Sequence, residues 1–216
     1  GCMSTRNRVF AGILLIYVLG VMFLLYRIIA DLDPRYRESA EESLVETAQL
    51  LSSVVERDLV KGQIDAARLR PLFQTLYARN VDAQIYALRK TRVELRVYVT
   101  ERTGRVLFDS LGHAEGEDYS HWRDVQLTLR GRYGARTTRD IQDDPRTTVM
   151  YVAAPVHAAG SIVGVVTVGK PVQSFGQFVE SARQNIIIVG VGSVAAILLF
   201  AVIVSVWLVR PFAFLA

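Results

Sequence analysis

Cysteine is nearly absent. The 216 residues include one, Cys2, so no disulfide can form within the chain and any extracytoplasmic part must be stable through packing alone. Histidine is scarce as well, with His113, His121 and His157 only. No two of them stand at the i, i+4 spacing of a helical metal pair. One falls in the loop 112–116, one at an expected helix start and one in a turn, so all three are expected at the surface. A Gly-rich phosphate loop is missing, since Gly104, Gly131 and Gly134 fall at turns and a helix end. Ser110 and Ser161 have no His–Asp partners nearby in sequence. Asp109, Glu115, Glu117 and Asp118 lack the alternating ligand spacing of a calcium loop and read as solvated loop charge. These absences predict no catalytic residue, no metal and no cofactor. Lysine supplies three of the 25 cations, a preference for arginine that nothing in the sequence explains.

Charge is missing from two long stretches. Residues 9–26 are 18 uncharged residues, and 186–209 are 24. Each is long enough to cross a hydrocarbon core of about 30 Å at ~1.5 Å per helical residue, the first only just. A soluble core helix rarely stays uncharged that long. A cleaved leader would need small residues after the first run, where Tyr26, Arg27, Ile28 and Ile29 follow instead. Arg27 at the edge can snorkel to the headgroups. The expected organisation is a cytoplasmic N-terminus 1–8, a first transmembrane helix 9–30, an extracytoplasmic domain 31–185, a second transmembrane helix 186–209 and a cytoplasmic segment 210–216. Gly1 and Cys2, ahead of Met3, read as tag residues. Of the charges, 31–185 holds all 21 acids and 21 of the 25 cations, so the net +4 comes from Arg6, Arg8, Arg27 and Arg210. Cations flanking both spans place both termini inside. This is a topology signal and gives no basic stripe for nucleic acid.

Between the spans the periodicity changes twice. Asp33-Pro34 predicts a helix start, with Asp33 as cap. From there Ala40, Leu44, Ala48, Leu51, Val55 and Leu59 form an apolar stripe, and Val45, Leu50 and Val54 widen it to a second face. One face suits the domain's own core and the other a partner subunit; both can also bury into one core. Gly62 is expected to end this helix, and Pro71 to start a short one with Leu72, Phe73 and Leu76 on one side. Residues 95–100 alternate, 101–104 turn, and 105–109 run back as a hairpin. Ser120 is expected to cap a helix carrying Trp122, Val125 and Leu129, closed by Gly131. Strands are expected at 133–139, 147–156 and 162–170, then a helix from about Val172 into the second span. This is an α+β layer.

The stretch VYVTERTGRVLFDS (97–110), with VMYVAAPV (149–156) and IVGVVTVGKP (162–171), resembles the PAS-like PDC or Cache sensor domains. With GEDYSHWRDVQLTLRGRYGART (116–137) and LVETAQLLSSVVERDLVKG (44–62), it is similar to the CreC-type sensor histidine kinases. The resemblance implies a PAS-like antiparallel sheet with a long N-terminal helix, flanked by two transmembrane helices. It implies a dimeric receptor in the bacterial inner membrane, touching lipid, with a periplasmic sensor domain. A response regulator would be its partner through a cytoplasmic part beyond Ala216, and Arg210-Pro211 resembles the start of a HAMP relay.

A ligand site is sought on the sheet. If Leu95, Val97 and Val99 face the long helix, then Arg96, Tyr98 and Thr100 face the other side. Arg136, Tyr151 and Lys170 lie on strands expected to adjoin them. Arg96, Tyr98, Arg136, Tyr151 and Lys170 are therefore the candidate ligand-binding residues, suited to a small anionic metabolite through forked hydrogen bonds. The plainer alternative pairs these cations with Asp109, Asp118 or Glu94, or leaves them in solvent. Other outputs remain open: a chemoreceptor, a cyclic-dinucleotide enzyme, or a ligand-free sensor of membrane or partner protein.

Overall fold

In a computed structural model the described residues are 5–85 and 88–213. Residues 1–4, 86–87 and 214–216, with the tag reading and the end of the HAMP-like segment, lie outside them. The chain divides into two units, Gly1–Arg35 with Val179–Ala216, and Tyr36–Phe178.

The first unit is helical. It takes the start of α1 (Thr5–Arg57) and most of α4 (Gln173–Ala213). Both helices are long and apolar enough to cross a membrane, and the most apolar window of α1 has none of its residues buried. Outward-facing Ile13, Ile16, Phe23, Ile188, Val189 and Phe200 need a non-aqueous surrounding, which a soluble core helix would supply by burial. Within this unit a Cβ on Gly190 would stand 2.4 Å from a methyl of Leu25. The bare glycine lets the two helices approach there.

The second unit is a three-layer α+β domain. After α1 come α2 (Ala66–Ala78), the small hairpin β1 (Ala83–Ile85) and β2 (Leu88–Lys90), and then β3 (Arg96–Glu101) and β4 (Val106–Asp109). Next are α3 (Arg123–Leu129), β5 (Gly134–Arg139), a 3-10 turn at Pro145–Thr147, β6 (Thr148–Ala158) and β7 (Ser161–Pro171). The main sheet is antiparallel and five-stranded, in the order β4-β3-β7-β6-β5. Its central strands are buried on both faces, which is why 149–156 reads as an unbroken apolar run. One face carries Val97, Val99, Val152, Ala154, Val166 and Val168 against Leu44, Ala48 and Val55 of α1 and Leu69 and Phe73 of α2. The other carries Tyr98, Tyr151, Ala153 and Val165 against Val125 of α3. Along α1 the Ser52 hydroxyl donates to the Pro155 carbonyl, and Glu56 accepts from the His157 amide at 2.8 Å.

Several expected boundaries move. Pro34 lies inside α1 rather than at its start. A proline removes one intrahelical hydrogen bond, at about 3 kcal/mol, and a helix this long can absorb that. Helix α1 ends at Arg57, and Lys61 and Gly62, with φ of 52° and 74°, instead form the turn between Val60 and Gln63. Pro71 is likewise internal: α2 starts from an Asp65 cap, whose carboxylate accepts the Ala67 amide at 3.1 Å. Ser120 does not cap α3, which begins at Arg123; its amide is held by Asp118 at 2.9 Å.

Candidate functional site

Strand register builds the site. Arg96 of β3 pairs with Gly169 of β7, Gly169 with Tyr151 of β6, and Tyr151 with Arg136 of β5. Cross-strand partners share a face, so one row across four strands reads Arg96, Gly169, Tyr151, Arg136. The next row holds Asp109, Tyr98, Thr167, Ala153 and Gly134. A Cβ on Gly169 would stand 2.4 Å from the Tyr151 ring. The glycine is therefore the gap across which that ring lies towards Arg96. A Cβ on Gly134 would stand 2.1 Å from the Asp124 carbonyl, so its absence lets α3 sit directly on the sheet.

Two arginines anchor the rows. Arg96 donates a fork to Asp109, Nη2 to Oδ2 at 2.8 Å and Nε to Oδ1 at 3.2 Å, and Nη1 donates to the Tyr151 hydroxyl at 2.8 Å. Arg136 donates from Nε to Asp124 Oδ1 at 2.6 Å, from Nη1 to Thr138 at 2.8 Å and from Nη2 to the Tyr98 hydroxyl at 3.1 Å. The Tyr98 hydroxyl and Thr167 both donate to Asp124. The Arg136 guanidinium lies 4.1 Å from the Tyr151 ring centre and 4.3 Å from that of Trp122, within cation–π range. The side chains of Arg96 and Arg136 are 14% and 8% exposed, and those of Asp109 and Asp124 are 0%.

Burial opposes every charge here. It works against the Arg136 and Arg96 cations, yet their carboxylate and tyrosine partners raise both above the ordinary arginine value. Burial would push the Asp109 carboxyl up. The Arg96 fork and charge, with amide hydrogen bonds from Leu111 and Ala114, outweigh it and hold that carboxyl below its usual range. Tyr98 and Tyr151 are pushed up chiefly by burial, Tyr98 also by the adjacent Asp124 charge. Each Asp109 oxygen accepts two hydrogen bonds, Oδ1 from Arg96 and Leu111, Oδ2 from Arg96 and Ala114.

Four of the five candidate residues thus converge: Arg96, Tyr98, Arg136 and Tyr151. Lys170 does not join them. It pairs with Met150, which belongs to the core under α1 and α2, so alternation sends it to the opposite face. Of the expected acid partners, Asp109 does hold Arg96. Asp124 and Trp122 escaped the sequence reading as site residues. In the helix run Asp124 sits four residues before Thr128, and both are buried with Val125. An acid on the buried face of a short helix is the signal that was available.

A five-stranded sheet in this order, with a long N-terminal helix on one face and membrane-length helices at both chain ends, is a PAS-like sensor fold of the PDC or Cache type. The chain is 37% identical over 185 residues to Sensor protein CreC of Escherichia coli (strain K12), covering 86% of this chain and 39% of that protein. The chain is thus similar to part of a CreC-type sensor protein, and spans well under half of that relative's length. Among solved structures it is similar to the sensor domain of the V. cholerae histidine kinase DctB, with 16% identity and a TM-score of 0.50 over 72% of this chain and 59% of that one. It is also similar to the ligand-binding domain of the Campylobacter jejuni chemoreceptor Tlp3, solved with 4-methylisoleucine, with 13% identity and a TM-score of 0.48 over 73% and 61%. At such identities the likeness is one of fold. No protein-family model matches the chain.

Proposed function

We propose that the chain is the periplasmic sensing and transmembrane signalling module of a two-component sensor histidine kinase in a bacterial inner membrane, and that it detects a small anionic metabolite. The supporting observation is the row that sets the Arg96 and Arg136 guanidinium groups on either side of Tyr151, each held by an internal carboxylate. Asp109 occupies the place of a ligand carboxylate on Arg96. It stands at the end of β4, before the turn 110–116, while Asp124 is fixed in α3. A ligand carboxylate would replace Asp109 on the Arg96 fork and release that loop, a two-state exchange that a ligand with differential affinity can drive. A ligand ammonium fits less well, because both Asp109 oxygens already accept two hydrogen bonds.

The test is a thermal-shift screen of small carboxylates on the full chain in neutral detergent. At about 100 times its Kd a ligand adds about 2.7 kcal/mol of stability. At least one carboxylate should raise Tm in the wild type and lose its effect in Arg96→Lys, which keeps the charge but not the fork. Equal shifts in both proteins, or none from any anion, would overturn the reading.

A further inference from the structure

Helix α2 grips the chain on both sides of Asp109. Arg70, Phe73 and Tyr77 are spaced i, i+3, i+7 and so form one stripe along α2. At one end Arg70 Nη2 donates to both Glu115 oxygens, at 2.9 and 3.1 Å. In the middle the Phe73 ring lies 5.2 Å from that of Phe108, the residue before Asp109. At the other end the Tyr77 hydroxyl donates to the Leu95 carbonyl and makes a second hydrogen bond, 2.9 Å long, with the Ser110 hydroxyl. Ser110 is also stitched to β3. Its hydroxyl accepts the Val97 amide at 2.9 Å, and its own amide donates to the Val97 carbonyl at 2.8 Å. Glu115 in turn accepts the Asp109 amide at 3.4 Å. The stripe therefore clasps Phe108, Ser110 and Glu115, which bracket the carboxylate that holds Arg96. Burial pushes the Tyr77 hydroxyl up, and the charges of Asp109 and Arg96 also act on it, in opposite directions.

The same helix meets the core on its other flank. Leu69 and Phe73 are buried with Leu44, Ala48 and Val55 of α1, and Leu76 packs against them. A displaced loop 110–116 could swing free and leave α2 in place, or it could carry α2 along and press on α1. The fastenings decide between these. An exposed ion pair alone holds little, and the Arg70 and Glu115 side chains are 49% and 31% exposed. The part-buried Tyr77–Ser110 bond is the firmer one, because breaking it strands polar groups away from bulk water. We infer that Tyr77 and Arg70 are positioning residues that make α2 the arm reading the Asp109 loop: when Asp109 leaves Arg96, the loop carries α2 with it. By linkage the same contacts set how readily the loop opens. The inference rests on the sensing reading of the Arg96 row, since exchange of carboxylates there is what would move the loop.

The test is amide hydrogen exchange, read by mass spectrometry on the full chain in neutral detergent and referred to α3, which the stripe does not touch. Arg96→Lys loosens the Asp109 fork without removing the charge and stands in for the displaced state. It should quicken exchange at least about fivefold both in 110–116 and in α2. In a Tyr77→Phe/Arg70→Gln background, where the ring on Phe73 is kept, Arg96→Lys should still open 110–116 but leave α2 within about twofold of that background. Arg70→Lys alone should transmit normally, because both bonds to Glu115 come from one nitrogen. An α2 that responds equally with and without the two contacts, or stays silent while 110–116 opens, would overturn the inference. So would a loop 110–116 unmoved by Arg96→Lys. A silent α2 in a chain that keeps its carboxylate thermal shift would sink this inference and leave the sensing reading intact. A coupled α2 in a chain that shows no such shift would do the opposite.

Discussion

The Arg96–Asp109 pair concentrates the energetics of the site in two residues. Its desolvation is offset only while both partners and their hydrogen bonds are in place. Arg96→Met leaves Asp109 charged, buried and without its fork, and should cost about 3–5 kcal/mol by urea unfolding. Adding Asp109→Asn removes the stranded charge while keeping an acceptor for the Leu111 amide, so Arg96→Met/Asp109→Asn should recover much of the loss. A double variant no more stable than the single would show that the pair is not coupled. The pH dependences should have opposite signs. In the wild type the Asp109 carboxyl lies below its usual range. Its contribution is present above the unfolded value near 4 and is lost as pH falls below it. In Arg96→Met burial is left to raise the same carboxyl, which then takes up a proton on folding, and the defect should shrink as pH is lowered from 7 towards 4.

At the scale of elements, the strands were legible because alternation and the turns at 101–104 and 159–160 report a half-buried sheet directly. The helix starts were not, because Pro34 and Pro71 look like first-turn residues yet sit inside α1 and α2. The β1–β2 hairpin also went unseen, since its three-residue strands carry no apolar period. The sharing of a face by Arg96 and Tyr98 followed from period two, but their pairing with Asp109 and Asp124 is tertiary and depends on register. Helix α1 shows the same division. Leu44, Ala48 and Val55 are buried in the domain's own core and Val45 packs against it, while Leu50 stays 66% exposed. With Tyr36, Ala40, Ser43, Thr47 and Val54, Leu50 falls on a three-four spacing, the seam of a two-helix contact. The Thr47 hydroxyl bonds back to the Ser43 carbonyl at 2.7 Å, which turns its methyl outward. A parallel homodimer through this seam is expected. In a Cys2→Ser background, Leu50→Cys and Thr47→Cys should cross-link between chains in membranes, and Ala48→Cys, fully buried, should not. Cross-linking without this period would count against the seam.

For the whole molecule the question is which side of the membrane holds the sheet. Burial alone cannot decide it, because outward apolar side chains on α1 and α4 report a span and not its direction. The charge distribution favours one direction. The segment 31–185 carries 21 cations and 21 acids, and the four remaining cations, Arg6, Arg8, Arg27 and Arg210, flank the two uncharged runs. Arg6 and Arg8 precede the first run with no acid beside them, and Arg210 follows the second at once. Positive charge close to a span resists translocation, whereas a long folded domain crosses largely regardless of its own charge. The inverse topology would carry Arg6, Arg8 and Arg210 outside and leave the neutral domain within, against that bias at both spans. Both ends are therefore expected inside, with 31–185 in the periplasm, where the proposed Arg96 site would meet periplasmic solutes. A fluorescent reporter that matures only in the cytoplasm should light up when fused at Ala216. An alkaline phosphatase fused there should stay inactive, and the same phosphatase inserted in the exposed loop 112–113 should be active. The reverse pattern would overturn the topology, and with it the proposed sensing site as seen from the periplasm.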